Sequence, residues 1–449
     1  MKAIIMAGGE GTRLRPISSG IPKPMVPLLG KPLIQHITEL LRDSGIREIR
    51  VTLGYEPEAI IDHLGDGSAF GVEISYHVEK VALGTAGGVR ACRDFVGDDD
   101  FLVISGDAAC DFDLAEFIDY HNRYRAAVSM ALYSHSEPLQ YGLVLTDTVG
   151  RVLGFIEKPS WERVITDCVN TGIYIVSSRA MELIPESVSF DFARDLFPML
   201  LRRGEDIRAV RLDGYWCDVG NPESYYRCCM DALEGRLRLI PAADELFGSV
   251  WSASNLPQGV KFVPPCSIGA NVSIEPGTVI GPRAILGDGV RVKRGAVIRD
   301  SVLDNGSVIG AETVLSGCVI CRSAEVPEGM RIGYGEVIAS PESRFPPDSK
   351  QTPKSVARPR APMRRQRELL VSGRAEIMRV LTESLTEFGT DFTDFSDGLK
   401  IATAAGLVRI SPSPEREAIV VEATANEMEF SDELCAEYEG IVRNIAKEH

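Results

Sequence analysis

Ile268, Ile274, Ile280, Leu286, Val292 and Ile298 stand six residues apart, and Val272, Thr278, Ala284, Val290, Ala296 and Val302 repeat four residues behind each. A period of six suits neither a helix nor a simple strand. It suits a coil of three short parallel strands, because stacking such coils gathers the recurring aliphatics into one core. The expected fold over residues 250–340 is therefore a parallel β-helix, taken as left-handed. One position is lost between 298 and 303, after which Leu303, Ile309 and Leu315 resume the column, so one irregular turn is expected.

With 449 residues the chain exceeds what one core serves, and the rest of it reads differently. Residues 1–235 alternate β-rich apolar runs with helical patterns, as an α/β, Rossmann-like domain does. Strands are expected at Ile49–Leu53, Phe101–Ser105, Val128–Tyr133, Val152–Ile156 and Gly172–Val176, and helices at Pro32–Asp43, Ala86–Phe95, Leu114–Arg125 and Asp191–Arg203. Residues 341–367 hold six prolines, and Lys350 to Arg367 carries seven Lys or Arg and no acid. This composition predicts an extended linker. Its basic run is either a solvated spacer or a strip that docks on an acidic surface. One such surface is at hand, since residues 368–449 hold seventeen acidic and seven basic residues. That last segment reads as a small α+β domain: helix Ala375–Glu387, strands near 397–401, Leu407–Ile410 and Ala418–Ala423, then helix Asp432–Lys447.

The net charge of −16 excludes a general nucleic-acid binder, which needs basic faces. No apolar run approaches a membrane span, and Met1–Ala7 is too short for a signal peptide, so no membrane contact and a cytoplasmic location are expected. Ten scattered cysteines include one CxxC, Cys318 to Cys321, with no second pair or nearby histidine to complete a zinc site. Reduced, packed thiols are the expectation.

Chemistry concentrates at the amino terminus. The strand Lys2-Ala3-Ile4-Ile5-Met6 runs into Ala7-Gly8-Gly9-Glu10-Gly11-Thr12-Arg13-Leu14-Arg15-Pro16, with Lys23-Pro24 behind. Glycines let backbone N–H groups approach an anion, and Arg13 and Lys23 add fixed charge for a polyphosphate. Neither GxxxxGK[ST] nor GxGxxG is present. Leu83-Gly84-Thr85-Ala86-Gly87-Gly88 is either a plain turn or a small-residue floor for a base, with Thr85 and the helix N-terminus as donors. Glu79, just upstream, has the chemistry to accept N1–H and N2–H of guanine. Asp107, in Ser105-Gly106-Asp107, and Asp218 offer two hard oxygen ligands that suit Mg²⁺, although either alone would serve as a turn or cap residue. Lys158, in Glu157-Lys158-Pro159, can meet a sugar phosphate, while Glu157 and Asn170 can read hydroxyls; an ion pair and a turn amide are the structural alternatives.

In this order the motifs resemble the sugar-nucleotide pyrophosphorylases, above all mannose-1-phosphate guanylyltransferases and related glucose-1-phosphate enzymes. The resemblance covers nearly all of residues 1–233 and includes Tyr141-Gly142, Val169 to Tyr174, Phe190-Asp191-Phe192 and Asp195 to Pro198. It implies transfer of a nucleotidyl group from a nucleoside triphosphate to a sugar 1-phosphate, with GTP and mannose 1-phosphate preferred. Arg13, Lys23 and Asp107 are implied as catalytic. Gly8, Gly9, Gly11, Thr12, Glu79 and Gly84 would hold the nucleotide, Glu157, Lys158, Asn170 and Gly172 the sugar phosphate, and Asp107 with Asp218 the Mg²⁺. Family members usually carry Glu-Pro before the LGTAG run, where this chain has Val81-Ala82. A glucose-1-phosphate thymidylyl- or uridylyltransferase and a non-catalytic sugar-nucleotide-binding subunit are the alternatives.

Hexapeptide repeats also occur in acyltransferases that use a catalytic histidine. The six histidines, at 36, 63, 77, 121, 135 and 449, all lie outside the repeat, which argues against acyl transfer. In pyrophosphorylases the repeat implies a homo-oligomer. Residues 397–401 and the stretch Arg409–Glu415 resemble the last domain of phosphohexomutases, whose phosphate loop reads close to RPSGTEP. Pro412 and Pro414 break that pattern, and neither a phosphoserine loop nor a DxDxDR loop is present, so mutase chemistry is expected to be absent.

Overall fold

The computed structural model describes residues 1–160, 163–340, 363–387, 392–395, 398–403, 406–413, 416–425 and 428–448. They fall into two compact units, one drawn from Met1–Ser129, Gly172–Leu196 and Leu212–Asp348, the other from Met130–Thr171, Phe197–Arg211 and Ser349–His449.

The first unit is built on four parallel strands in the order Phe101–Ser105, Lys2–Ala7, Glu48–Leu53, Glu73–Val78. Ile4, Ile5, Val51, Val103 and Ile104 are fully buried. Strands covered on both faces need such unbroken apolar runs. The helix Leu33–Asp43 buries Leu33, Ile34, Ile37 and Leu41, one stripe at helical spacing. Two expected helices differ in detail. Ala86–Phe95 is divided into Gly84–Arg90 and Arg93–Val96, with Cys92 at φ −95°, ψ 20° between them. Residues 191–203 open with a wide π turn, Phe192–Leu196, before the α-helix Phe197–Arg202.

The repeat region forms three parallel sheets visited in rotation. One holds Val250–Ser252, Cys266–Ile268, Ala284–Leu286, Ser301–Leu303, Val319–Ile320 and Val337–Ile338, with Asp244–Phe247 antiparallel at its edge. Ala284 pairs with Cys266, 18 residues on, whereas Ser301 pairs with Ala284 and Val314 with Val297, both 17 on. The aliphatic column continues through Ile298, Leu303, Ile309, Leu315, Ile320, Val326 and Ile332, each at most 5% exposed. Two sides of the coil are therefore one residue short, 298 to 303 and 315 to 320, and only the first was expected. At both, a residue with positive φ, Asp300 at 49° and Gly317 at 81°, tightens the corner.

In the second unit, Gly142–Thr146 and Val152–Glu157 form an antiparallel hairpin. The carboxyl-terminal segment is a five-stranded antiparallel sheet, in the order Met363–Leu370, Ala418–Ala425, Gly406–Pro412, Gly398–Ala402, Phe392–Phe395, with helices Arg374–Glu387 and Met428–Glu448. It is α+β, as expected, and its first strand takes in the end of the linker expected over 341–367. Residues 341–362 lie outside the described residues, while Met363–Leu370 is a strand paired with Ala418–Ala425 over eight positions. Tertiary pairing overrode its basic composition: Arg365 meets Asp432 at 2.7 Å and Arg367 meets Glu439 at 2.6 Å. The end of the basic run thus rests on the acidic face of the last helix. Arg409–Pro412 is strand rather than loop. Pro414 and Glu415 lie outside the described residues, as do Trp161 and Asp397.

All ten cysteines are free thiols, and all but Cys168 are buried. Among the described residues, no helix is long and apolar enough to cross a membrane.

Candidate active site

The glycine loop leaves the carboxyl end of Lys2–Ala7, the edge where parallel sheets present ligand sites. Gly8 passes so close to Gly54 that a Cβ on Gly54 would lie 2.6 Å from the Gly8 carbonyl. Gly11, at φ +70°, starts the turn Thr12–Leu14, and a Cβ on it would lie 2.7 Å from Cβ of Lys23. Glycine is required there twice, for the left-handed backbone and for the lysine stem. Leu14 is buried and anchors the turn, leaving Thr12 and Arg13 exposed.

Lys23 begins a second short turn, Lys23–Met25, and its side chain is 7% exposed. Its Nζ donates to Oδ2 of Asp107 at 2.6 Å and to Oδ1 of Asp218 at 3.1 Å. Backbone pairing holds the two carboxylates together. Asp218 faces Ala108 across the antiparallel pair Trp216–Asp218 with Ala108–Cys110, and the Val219 N–H donates to the Asp107 carbonyl at 3.2 Å. Ser105, two residues upstream, donates its hydroxyl to Oδ1 of Asp107.

Burial pulls the Lys23 ammonium pKa down, but Asp107 and Asp218 together outweigh it and leave the value raised. Burial likewise pushes Asp107 up, and the Lys23 charge with the Lys23 and Ser105 hydrogen bonds brings it below the usual carboxylate range. Asp218 is pushed up by burial and then by Asp107; Lys23 and Arg13 offset this only in part, so it stays raised. One lysine thus neutralises a pair of carboxylates that carry more negative charge than it can hold. The loop cation Arg13 feels the same cluster. Two adjacent carboxylates form a donor set that fits Mg²⁺.

The region expected to floor a base departs from expectation. The Thr85 N–H and hydroxyl both donate to Oδ1 of Asp191, at 3.1 and 2.9 Å, and the Ala86 and Gly87 N–H groups both donate to the Phe190 carbonyl at 2.9 Å. These donors are spent on the 190–191 loop and are not offered to a base. Gly84, at φ +73°, packs on Phe190, where a Cβ would lie 2.8 Å from the carbonyl oxygen. Glu79 accepts the Leu83 N–H at 3.1 Å with Oε2, while its Oε1 lies toward Gly8 and Gly88. Val81, in the Glu-Pro position, is 73% exposed. Ser105 and Asp191 are the supporting residues that sequence reading passed over, although both sit inside the motifs Ser105-Gly106-Asp107 and Phe190-Asp191-Phe192.

Of the residues expected to hold the sugar phosphate, Gly172 belongs to the first unit. At φ +77° it lies against Ser105, where a Cβ would come within 3.2 Å of the serine Cβ. Glu157, Lys158 and Asn170 belong to the second unit. The Glu157 carboxylate folds over Gly142, and Lys158, at φ 39°, donates its N–H to the Tyr141 carbonyl at 3.2 Å.

The carboxyl edge of the parallel sheet thus carries a glycine loop, a buried lysine and two paired carboxylates, chemistry suited to nucleotidyl transfer. The chain belongs to the nucleotidyl transferase family, which matches residues 2–235, and the family described as GMPPB C-terminal domain matches residues 262–342. It is 34% identical to a UTP–glucose-1-phosphate uridylyltransferase of Synechocystis sp., a match covering 69% of this chain and 84% of that one. It is also 34% identical to a mannose-1-phosphate guanylyltransferase of Mycobacterium tuberculosis, over 66% of this chain and 82% of that one. Identity is 31% to the mannose-1-phosphate guanylyltransferase catalytic subunit beta of Danio rerio, over 74% and 89% respectively. The enzyme is a sugar-nucleotide pyrophosphorylase.

Proposed function

We propose that the enzyme joins GTP and mannose 1-phosphate to form GDP-mannose and pyrophosphate. An oxygen of the sugar phosphate attacks the α-phosphorus, a new P–O bond forms there, and the bond to the bridging oxygen of the β-phosphate breaks. No protein nucleophile is needed, so alignment and charge neutralisation carry the rate. The observation that carries this reading is the Lys23–Asp107–Asp218 cluster beside the glycine loop. Arg13 and Lys23 would stabilise charge on the transferring group, with Gly8, Gly9, Gly11 and Thr12 around the phosphates. Asp107 and Asp218 would hold Mg²⁺, which when bound supplies charge neutralisation for phosphate oxygens. Glu157, Lys158, Asn170 and Gly172 are assigned to the sugar phosphate, and Glu79 and Gly84 to the neighbourhood of the base.

A second reading, a glucose-1-phosphate uridylyltransferase, is favoured by the relative in Synechocystis sp.. Pyrophosphate release across a panel of triphosphates and sugar phosphates, with Mg²⁺, separates the two. The GTP and mannose 1-phosphate pair is expected to turn over fastest; a preference for UTP with glucose 1-phosphate would replace our assignment by the second.

The domain limits are 1–235, 250–340 and 363–449, with the intervening linker shortened to 341–362. The stack of coils is a left-handed β-helix that supports a homo-oligomer, and the enzyme works in the cytoplasm.

A further inference from the structure

A cavity of about 440 Å³ opens between the start of the helix Pro222–Leu233 and the last coils of the stack. Two aromatic walls meet there at a right angle: the rings of Tyr226 and Tyr334 stand 90° apart with centroids 6.0 Å from each other. The Tyr226 hydroxyl is committed to the Asp300 carbonyl at 2.8 Å, so this residue presents its ring. Tyr334 is 79% exposed. Its position depends on Gly317, the tight corner of the second short side of the coil, where a Cβ would lie 2.8 Å from the Tyr334 ring. The irregularity in the repeat thus shapes the floor of the cavity.

Glu223 and Glu336 line the same space, and among the described residues neither has a cationic partner. Glu336 spends only Oε1, on the Gly333 N–H at 3.1 Å. Two π faces and two unpaired carboxylates attract a cation and repel phosphates. A guanidinium satisfies both features at once, because its flat face stacks on a ring while its edge donates to carboxylates. The cavity wall is also continuous with the catalytic cluster. Asn221 follows Asp218 by three residues, and the Gly220 N–H between them donates to the Asp218 carbonyl at 2.8 Å and to the Ser224 hydroxyl at 3.0 Å. A ligand resting on Asn221 and Glu223 bears on the segment that carries Asp218.

We propose that the Tyr226–Tyr334 corner is an effector site for a guanidinium-bearing ligand. The test uses the full chain and two probes, L-argininamide and its isostere L-citrullinamide, which shares the α-amino group and replaces the guanidinium by a neutral ureido group. Calorimetry is expected to show saturable argininamide binding, at least tenfold weaker in Tyr334→Ala and in the double variant Glu223→Gln/Glu336→Gln, and no citrullinamide binding. Tyr334 is exposed, and the glutamine introduced in place of Glu336 keeps an acceptor for the Gly333 N–H, so both variants remain folded. Pyrophosphate release is expected to change at least twofold at saturating argininamide in the parent enzyme and not in Tyr334→Ala. Citrullinamide binding of equal strength, unchanged binding in Tyr334→Ala, or turnover indifferent to saturating argininamide would each overturn the proposal. The turnover measurement rests on the proposed reaction and calorimetry does not, so failure of one reading is distinguishable from failure of the other.

Discussion

A single buried ammonium shared by two carboxylates sets the behaviour of the site. Replacing Lys23 by Met removes both hydrogen bonds and the positive charge proposed to act on the transferring group, and losing a preorganised donor of this kind costs about 3 kcal/mol of barrier. Pyrophosphate release by Lys23→Met should therefore fall roughly 10²-fold; parent-like turnover would remove Lys23 from the catalytic role. The three titrating groups also differ in sign. Asp107, with its lowered pKa, gives stability that is present above the ordinary carboxylate value and lost as pH falls; Lys23, raised, gives stability lost only on the alkaline side. Asp218, raised, contributes below the ordinary carboxylate value, and that contribution is lost as pH rises through its shifted value. Burial and the neighbouring Asp107 carboxylate are what raise it, and a divalent cation held by the pair would relieve that excess negative charge. Mg²⁺ should raise the melting temperature at pH 7.5, and the rise should shrink as pH falls to about 4, near the unperturbed carboxylate range, and be absent in Asp218→Asn. An equal Mg²⁺ shift at both pH values would count against these ligands.

At the scale of elements, the coil stack depends on its inward column. Ile309 is fully buried in it, and truncation to Ala should cost about 3 kcal/mol, within the usual range for a large-to-small core change. Denaturant melts of the stack should move to lower midpoints by a corresponding amount, and an unmoved midpoint would place Ile309 outside the core. The helix Gly84–Arg90 depends instead on a loop more than a hundred residues away in the chain. Asp191→Ala removes the acceptor for both Thr85 donors, so it should destabilise by about 1 kcal/mol, the typical worth of an N-terminal cap. Thermal unfolding checks this, with Thr85→Val as the matching deletion on the other side of the bond.

For the whole molecule, the glycine loop and the carboxylate cluster find every partner named here before residue 221. The carboxyl-terminal sheet has its own core, including Met378, Leu381, Val421 and Val442, all fully buried. A chain ended at Ser340 keeps the carboxylate cluster whole and loses from the second unit the Arg374–Asp167 ion pair at 3.7 Å, so pyrophosphate release should stay within about threefold of the full enzyme, a change of less than 1 kcal/mol of barrier. A larger loss would assign the tail a part in turnover.

Local periodicity and local motifs were legible because they need no knowledge of distant partners. The six-residue spacing alone determined a stacked parallel architecture, and the strand running into Gly8-Gly9-Glu10-Gly11 determined a tight glycine loop at the carboxyl edge of the sheet. The second short side, between Leu315 and Ile320, escaped reading because a five-residue step in a repeat of six is visible only when coils are laid on one another. Tertiary structure alone decided that Met363–Leu370 is a strand, since it pairs with Ala418–Ala425 and its Arg365 and Arg367 are neutralised by Asp432 and Glu439 from the far end of the segment. It likewise turned the Thr85 donors inward, because Asp191 arrives from 106 residues away. Above all, it brought Lys23 to Asp107 and Asp218, 84 and 195 residues distant, where burial makes their charges act as one group. The order of residues settles which charges a chain carries; only packing decides which of them share a low-dielectric space, and so which titrate and bind together.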